Sequence, residues 1–402
     1  MQTTLYYARV FTPTEVIERG TVVVSDEGRI AYVGPMEDAP RVDGLRMDVR
    51  GRIVVPGFID VHQHGGHGVT FYVTHDKVGD IAKDLAAYSE WVASTGVTGF
   101  LCSVSAPSAD ELVDRVSAFA HAFEVGVPGA EALGLHLEGP FLSLEKKGAF
   151  DPTWLREPSL EELEALLEAG QGWIRQMSLA PELPGASEVA ARLRQAGVVV
   201  SMGHTNADYA TTSAALRGDF THVTHTFNAQ RGFHHREPGV VGAVMTSDEV
   251  TAELIADTVH VHPGAMKVLI RCLGTDRVVL ITDAMAGAGL PDGEYVLGGR
   301  RRIVKDGKSV LPDGTIAGSA ATLNQCLRNV NHKVGVPLLE AVKMASLNPA
   351  RAMGFVDRLG SIAVDKDASL AVIDEEVNVY LTMVKGKIVY LNLQHDLEGG
   401  EQ

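Results

Sequence analysis

The stretch Val55-Pro56-Gly57-Phe58-Ile59-Asp60-Val61-His62-Gln63-His64-Gly65-Gly66 is an apolar run that ends in two histidines one residue apart. Side chains of a strand alternate between faces, so His62 and His64 point the same way. Paired imidazoles at a strand end make half a metal site, and Gly65 and Gly66 let the backbone turn tightly beside them. The plainer alternative is a pair of satisfied core histidines, and the spacing alone does not choose between the two.

The flanking sequence supplies the context. Upstream, short β-rich runs (Leu5 to Phe11, Gly20 to Val24, Ile30 to Val33) are separated by turn residues such as Asp26-Glu27-Gly28, which predicts a small sheet of hairpins. From Pro56 to about Val356, apolar runs alternate with amphipathic helical stretches, the pattern of βα units. Candidate strands are Gly99 to Cys102, Leu133 to Leu137, Val198 to Ser201, His222 to Thr224 and Val278 to Ile281. Ser159-Leu160-Glu161-Glu162 fits a capping box that opens a Leu-rich helix ending near Gly170. About eight such units is the scale of a (β/α)8 barrel, with a doubly wound open sheet as the competitor. From Leu359 the β-type runs return. The expected architecture is α/β: a (β/α)8 TIM-type barrel over 56–357, with a small discontinuous β-sandwich domain built from both termini, 1–55 and 358–402. The acidic segment Asp396 to Gln402 is expected to fray.

Composition narrows the function. With 402 residues and 45% apolar content the chain can bury a large core. There is no apolar run of membrane-spanning length and no basic-then-apolar leader, so a soluble, cytoplasmic protein is expected. Cys102, Cys272 and Cys326 lie far apart, which suits small core residues better than disulfides or a thiolate metal site. A formal net charge of −16 argues against a nucleic-acid surface. Arg300-Arg301-Arg302 reads as a solvated hairpin face, although a few local arginines and amides still suffice to bind a small anion.

Further candidate strands also end in metal-ligand types: Glu138 in Leu135-His136-Leu137-Glu138, His204 after Ser201-Met202-Gly203, His225 after Val223-Thr224, and Asp283 after Leu280-Ile281-Thr282. A barrel gathers such ends at one mouth. His62, His64, Glu138, His204 and His225 suit one or two divalent ions, zinc or iron first and manganese or cobalt as alternatives, with the carboxylate able to bridge. Asp283 is then left to move protons beside a cation-activated water, which is hydrolytic equipment. His136 is read as a buried hydrogen-bonding partner. His222 has the wrong parity for a ligand, His67, His234 and His235 are loop candidates, and His332 and His395 face solvent.

These motifs resemble the amidohydrolase superfamily of metal-dependent hydrolases, in the Pro56 to His64 stretch, the later strand-end ligands and the closing segment Leu359 to Ile373. More narrowly, Leu135-His136-Leu137-Glu138-Gly139-Pro140-Phe141, Gly203-His204-Thr205-Asn206-Ala207, His225-Thr226-Phe227-Asn228-Ala229 and Ile281-Thr282-Asp283-Ala284 are similar to the N-acetylglucosamine-6-phosphate deacetylase family. The resemblance implies metal ligands at Glu138, His204 and His225, a second ion held by His62 and His64, and an acid/base role for Asp283. It implies sugar-phosphate contacts at Ala149, Asn228, Ala229, Arg236 and His260, and a segment over the sugar at Ile316, Ala317 and Gly318. It also implies a homodimer in which Arg236 and His260 reach the neighbouring site. The expected reaction is hydrolysis of the acetamide of a phosphorylated amino sugar. The alternatives are an N-acetylgalactosamine-6-phosphate deacetylase, a cyclic-amide hydrolase or a non-catalytic barrel scaffold. Two positions depart from the family pattern. Phe150 stands where many relatives carry a histidine that helps polarise the substrate carbonyl, a task the second ion is expected to take over. Thr258 stands where glycine is common.

Overall fold

The computed structural model describes residues 1–72, 78–297, 300–305, 308–310 and 316–392. Its centre is a ring of parallel strands hydrogen-bonded in chain order: β1 (Phe58–Asp60), β2 (Val97–Val104), β3 (Glu131–Glu138), β4 (Ile174–Leu179), β5 (Val199–Met202), β6 (His222–Val223), β7 (Thr251–Ile255) and β8 (Val278–Ile281). A helix lies in each connection from β1 to β8. Strands such as Val97–Val104 and Val278–Ile281 are buried along their whole length, as parallel strands covered on both faces must be.

The ring closes between its first and last strands. The Asp283 amide donates to the His62 carbonyl at 2.9 Å, and the His64 amide to the Ala284 carbonyl at 2.7 Å. Deeper, the Asp60 carboxylate accepts from the Thr282 hydroxyl at 2.6 Å. A doubly wound sheet has two open edges, so these bonds decide for the barrel.

The lumen is layered. Its lower part is apolar, with Ile59, Leu101, Leu133, Ile255, Val279 and Ile281 packed together. Above them lies a buried polar tier that includes Ser103, His136, Gln176, Ser178, Ser201 and Glu253. On β3 the change from Leu133 to His136 and Glu138 on the same inward face needs a parity switch. The register slips at Gly134, whose φ of +140° glycine tolerates.

Both termini build one further sheet, in the order Lys387–Leu391, Val379–Val384, Leu370–Ile373, Ile53–Pro56, Gln2–Phe11, Val16–Val24, Ile30–Pro35, with Gly44–Asp48 also paired to Gln2–Phe11. It wraps its own core of residues such as Leu5, Val22, Ile30, Val54, Leu370 and Met383. Along Ile53–Pro56, Val54 enters that core while Ile53 and Val55 enter the barrel's outer core. Gly57 then donates to Ser369 and Phe58 to Gly96, so the chain passes from one sheet to the other within two residues.

One element differs from expectation. The segment after β8 is a four-stranded antiparallel meander (Gly293–Leu297, Arg300–Lys305, Lys308–Val310, Ile316–Ser319), not a loose hairpin and loop. Its last strand is pinned beside the site, because Ser319 donates to the Asp283 carbonyl at 3.0 Å and accepts from the Met285 amide at 3.0 Å. Arg301 pairs with Glu294 on the exposed face, as a solvated basic run should. His395 and the acidic tail lie outside the described residues.

Candidate metal centre and active site

Every ligand-type strand end meets at one mouth. Glu138 Oε1 lies 3.1 Å from His204 Nε2 and 3.1 Å from His225 Nε2. Its other oxygen, Oε2, lies 3.2 Å from His64 Nε2, and His62 Nε2 is 3.5 Å from Oε1. Two sets of three, His62–His64–Glu138 and Glu138–His204–His225, therefore share one carboxylate. Asp283 Oδ1 stands 3.2 Å from His64 Nε2 and 3.6 Å from His62 Nε2. His204, His225 and Asp283 have φ of +46°, +28° and +49°, so each strand ends on a left-handed residue that redirects its side chain. Each such non-glycine conformation costs on the order of 1 kcal/mol or more.

The hydrogen bonds at the far ring atoms reveal what the near atoms offer. His62 Nδ1 is 2.8 Å from Glu253 Oε2, His64 Nδ1 is 3.1 Å from the Ser103 carbonyl, and His204 Nδ1 is 2.8 Å from the Lys146 carbonyl. Each partner is an acceptor, so each Nδ1 carries the proton and, in the neutral ring, Nε2 presents a lone pair. His62 Nε2 is buried without a hydrogen-bond partner. His204 and His225 bring their Nε2 atoms to 3.0 Å of each other. Lone pairs aimed at lone pairs and at carboxylates call for a cation, and the anchored outer nitrogens are the support that metal-binding histidines usually have. The donor set fits a divalent ion of the zinc or iron type.

Without a cation, protons answer the same demand. Burial alone would depress the His64 pKa, but Asp283 and Glu138 outweigh it and carry it up to about 9. His62 is likewise driven up, by Glu253 and Glu138. Burial works against ionised Glu138, yet the surrounding histidines hold it well below the usual carboxylate range. Asp283 is also lowered: burial opposes its charge, but the His64 hydrogen bond and the charges of His62 and His64 prevail.

Glu253 is the functional residue that sequence reading missed. Fully buried on β7, it accepts from His62 Nδ1, His222 Nε2 at 3.2 Å, Gln176 Nε2 at 2.8 Å and the His225 amide at 2.9 Å. The available signal was a lone carboxylate inside the apolar run Thr251-Ala252-Glu253-Leu254-Ile255. His222 is held between Thr251 and Glu253 and His136 between Ser103 and Ser178, so neither reaches the ligand cluster.

Around the cluster, Asn228 is folded onto the His225 and Thr226 carbonyls, and the Ala229 carbonyl accepts from Thr205. Gly148 comes close to both His204 and Ala229, placing exposed Ala149 at the same rim. The Phe150 ring stands edge-on to His204 at 5.1 Å. Gly318 packs closely on Met285 and the Asp283 carbonyl, beside the strand backbone of Ile316 and Ala317. Thr258 has φ +68°, which explains why glycine suits that position. His260 is clamped to Asp257 at 2.6 Å and lies near enough to Asp283 of its own chain to feel that charge. Its ring is largely buried against its own chain. Arg236 is exposed, and its neighbour Glu237 caps the Tyr209 and Gly239 amides.

Known proteins are similar to this chain over most of its length. The family model described as Amidohydrolase family matches residues 53–389. An N-acetylglucosamine-6-phosphate deacetylase of Vibrio furnissii is 37% identical over 92% of this chain and 90% of its own. An N-acetylgalactosamine-6-phosphate deacetylase of Escherichia coli O157:H7 is 37% identical over 84% of this chain and 87% of its own. The structure of a Mycobacterium smegmatis N-acetyl-D-glucosamine-6-phosphate deacetylase mutant in complex with N-acetyl-D-glucosamine-6-phosphate superposes with a TM-score of 0.88 at 35% identity, covering 97% of this chain and 100% of that one. With matches of this length and identity, the chain belongs to the amidohydrolase family, among its N-acetylglucosamine-6-phosphate deacetylases.

Proposed function

We propose that the protein hydrolyses the acetamide of N-acetylglucosamine 6-phosphate to glucosamine 6-phosphate and acetate. The observation that carries this reading is Glu138 shared between two histidine pairs, with an ionised Asp283 beside them. Divalent cations bound there, zinc or iron, supply Lewis acidity and lower the pKa of water. Glu138, His204 and His225 would hold one ion, and His62 and His64 with Glu138 a second. Asp283 accepts the proton of the attacking water and returns it to the amine nitrogen as the carbon–nitrogen bond breaks. His260, held by Asp257, and the Asn228-Ala229 turn serve the phosphate and sugar. Exposed Arg236 reaches the phosphate of a second subunit in a homodimer, offering a planar fork for bidentate contact. A cytoplasmic location is supported by the three free cysteines.

The galactosamine epimer is the alternative to exclude, since the E. coli relative carries that name. Acetate release from both 6-phosphates and from the unphosphorylated sugars, with protein loaded separately with zinc, iron, manganese or cobalt, tests both. N-acetylglucosamine 6-phosphate is expected to be turned over fastest. No acetate from either phosphate at any loading defeats the proposal. Because Phe150 offers no hydrogen bond, an ion held by His62 and His64 would supply the Lewis acidity that polarises the carbonyl. His62→Ala should therefore lose that ion and most turnover; full turnover with a single ion removes the assignment.

A further inference from the structure

The residues lining the cluster are almost all acceptors. Glu138 and Asp283 are carboxylates, the Nε2 atoms that give their lone pairs to a cation carry no N–H to donate, and Phe150 supplies only a ring edge. Amide hydrolysis needs the opposite at one point, because negative charge grows on the carbonyl oxygen as water attacks. Among the described residues, one hydroxyl is placed against those atoms. The chain turns back just after His64, with Gly65–Gly66 paired to Val69–Thr70 and Phe71 donating to the His64 carbonyl at 2.9 Å. His67 at φ +50° and Gly68 at φ +90° make the return tight. It lays the Tyr72 ring flat on His64, with centroids 4.7 Å apart and planes at 18°, and sets the Tyr72 hydroxyl 3.3 Å from His64 Nε2. That nitrogen is itself 3.2 Å from Asp283 Oδ1 and 3.2 Å from Glu138 Oε2. The ring is backed by Trp154 at 6.5 Å, and buried Arg115, anchored on the Ser105 carbonyl, is near enough to interact with the phenol.

We propose that Tyr72 is a catalytic residue whose neutral hydroxyl donates a hydrogen bond to the substrate's carbonyl oxygen as the tetrahedral intermediate forms. With the His64 Nε2 lone pair given to a cation, the hydroxyl stands 3.3 Å from that nitrogen, beside the place where a substrate carbonyl oxygen would arrive. No proton leaves the phenol: the charge that grows on oxygen as the new carbon–oxygen bond forms returns to the carbonyl when the amine departs.

This inference rests on the deacetylase reading above, and the test separates the two. Tyr72→Phe removes the hydroxyl alone. Calorimetry compares wild type and variant, both metal-loaded, with glucosamine 6-phosphate and with a substrate analogue in which a phosphinyl group replaces the acetyl carbonyl and mimics the tetrahedral state. Analogue affinity is expected to fall about ten- to a hundredfold, the effect of one hydrogen bond to a charged oxygen. Product affinity should stay within about twofold, metal content should be unchanged, and kcat should fall with KM nearly constant. Unchanged analogue affinity overturns the proposal. So does loss of metal, or an equal loss of product affinity, since either makes Tyr72 a structural support of His64. If wild type neither binds the analogue nor releases acetate, the deacetylase reading itself has failed, and the role of Tyr72 falls with it.

Discussion

Glu253 decides which nitrogen of His62 faces the mouth. Its carboxylate has no proton to give and receives two N–H groups on each oxygen, from His62 and the His225 amide on one and from His222 and Gln176 on the other. Glu253→Gln keeps the shape but sets an NH2 group against two donors. His62 then relieves the clash by moving its proton to Nε2, where it cannot bind a cation. The expected outcome is a roughly ten- to hundredfold weaker second ion with the first retained, read by metal titration of the purified variant. Asp283 behaves differently, since it faces the cluster without completing either set of three ligands. Asp283→Asn should keep both ions by elemental analysis and lose about 10²- to 10⁴-fold in kcat. Turnover near wild type would remove its proton-carrying role. The two variants thus separate holding the ions from using them.

At the scale of strands, the clasp between β1 and β8 brings His62, His64 and Asp283 to the same height. Asp60 is the buried half of that clasp, bonded to the Thr282 hydroxyl and amide. Burial pushes its carboxyl from about 3.8 up to about 7, although Thr282 and the His62 amide pull the other way. A raised carboxyl pKa means that the fold favours the protonated form. The contribution is full below about pH 4 and is lost as pH rises to about 7, by at most roughly 1.4 kcal/mol for each pH step of one across that interval. In metal-free protein, Asp60→Asn should keep the Thr282 bond and gain on wild type in melting temperature between pH 4 and pH 8. Parallel melting curves for the two would contradict the burial argument. The strands carrying ligands were legible because each is an apolar run ending on His, Glu or Asp, a pattern that does not depend on distant partners. Thr251–Ile255 was not, because its one charged residue points into the lumen and has meaning only when β1, β4 and β6 surround it. The meander after β8 was hidden for a related reason: its last strand is fixed by backbone bonds to Asp283 and Met285, which carry no side-chain signature.

For the molecule as a whole, the question is how a chain with a formal net charge of −16 holds a dianionic sugar phosphate. Long-range attraction works against it, so short-range donors must do the binding. The donors proposed within the chain are His260, locked to Asp257, and the turn after His225. Arg236 lies in the exposed run Phe233-His234-His235-Arg236, where Phe233 is 63% exposed and the two histidine rings sit 4.3 Å apart. A fork on that run suits the proposed homodimer, whose boundary would also cover Phe233. Arg236→Ala should then raise KM about ten- to a hundredfold for N-acetylglucosamine 6-phosphate and leave the slow reaction of the unphosphorylated sugar nearly unchanged. Mixing gives the sharper measurement. Arg236→Ala subunits keep Asp283, and Asp283→Asn subunits keep Arg236, so a mixed dimer contains one site with both groups only if the arginine crosses over. Unfolding and refolding the two variants together should restore activity at low substrate concentration toward a quarter of the wild-type value, since about half the dimers are mixed and each has one complete site. Activity no higher than the sum of the two variants refolded separately would place Arg236 in its own chain's site or outside any site.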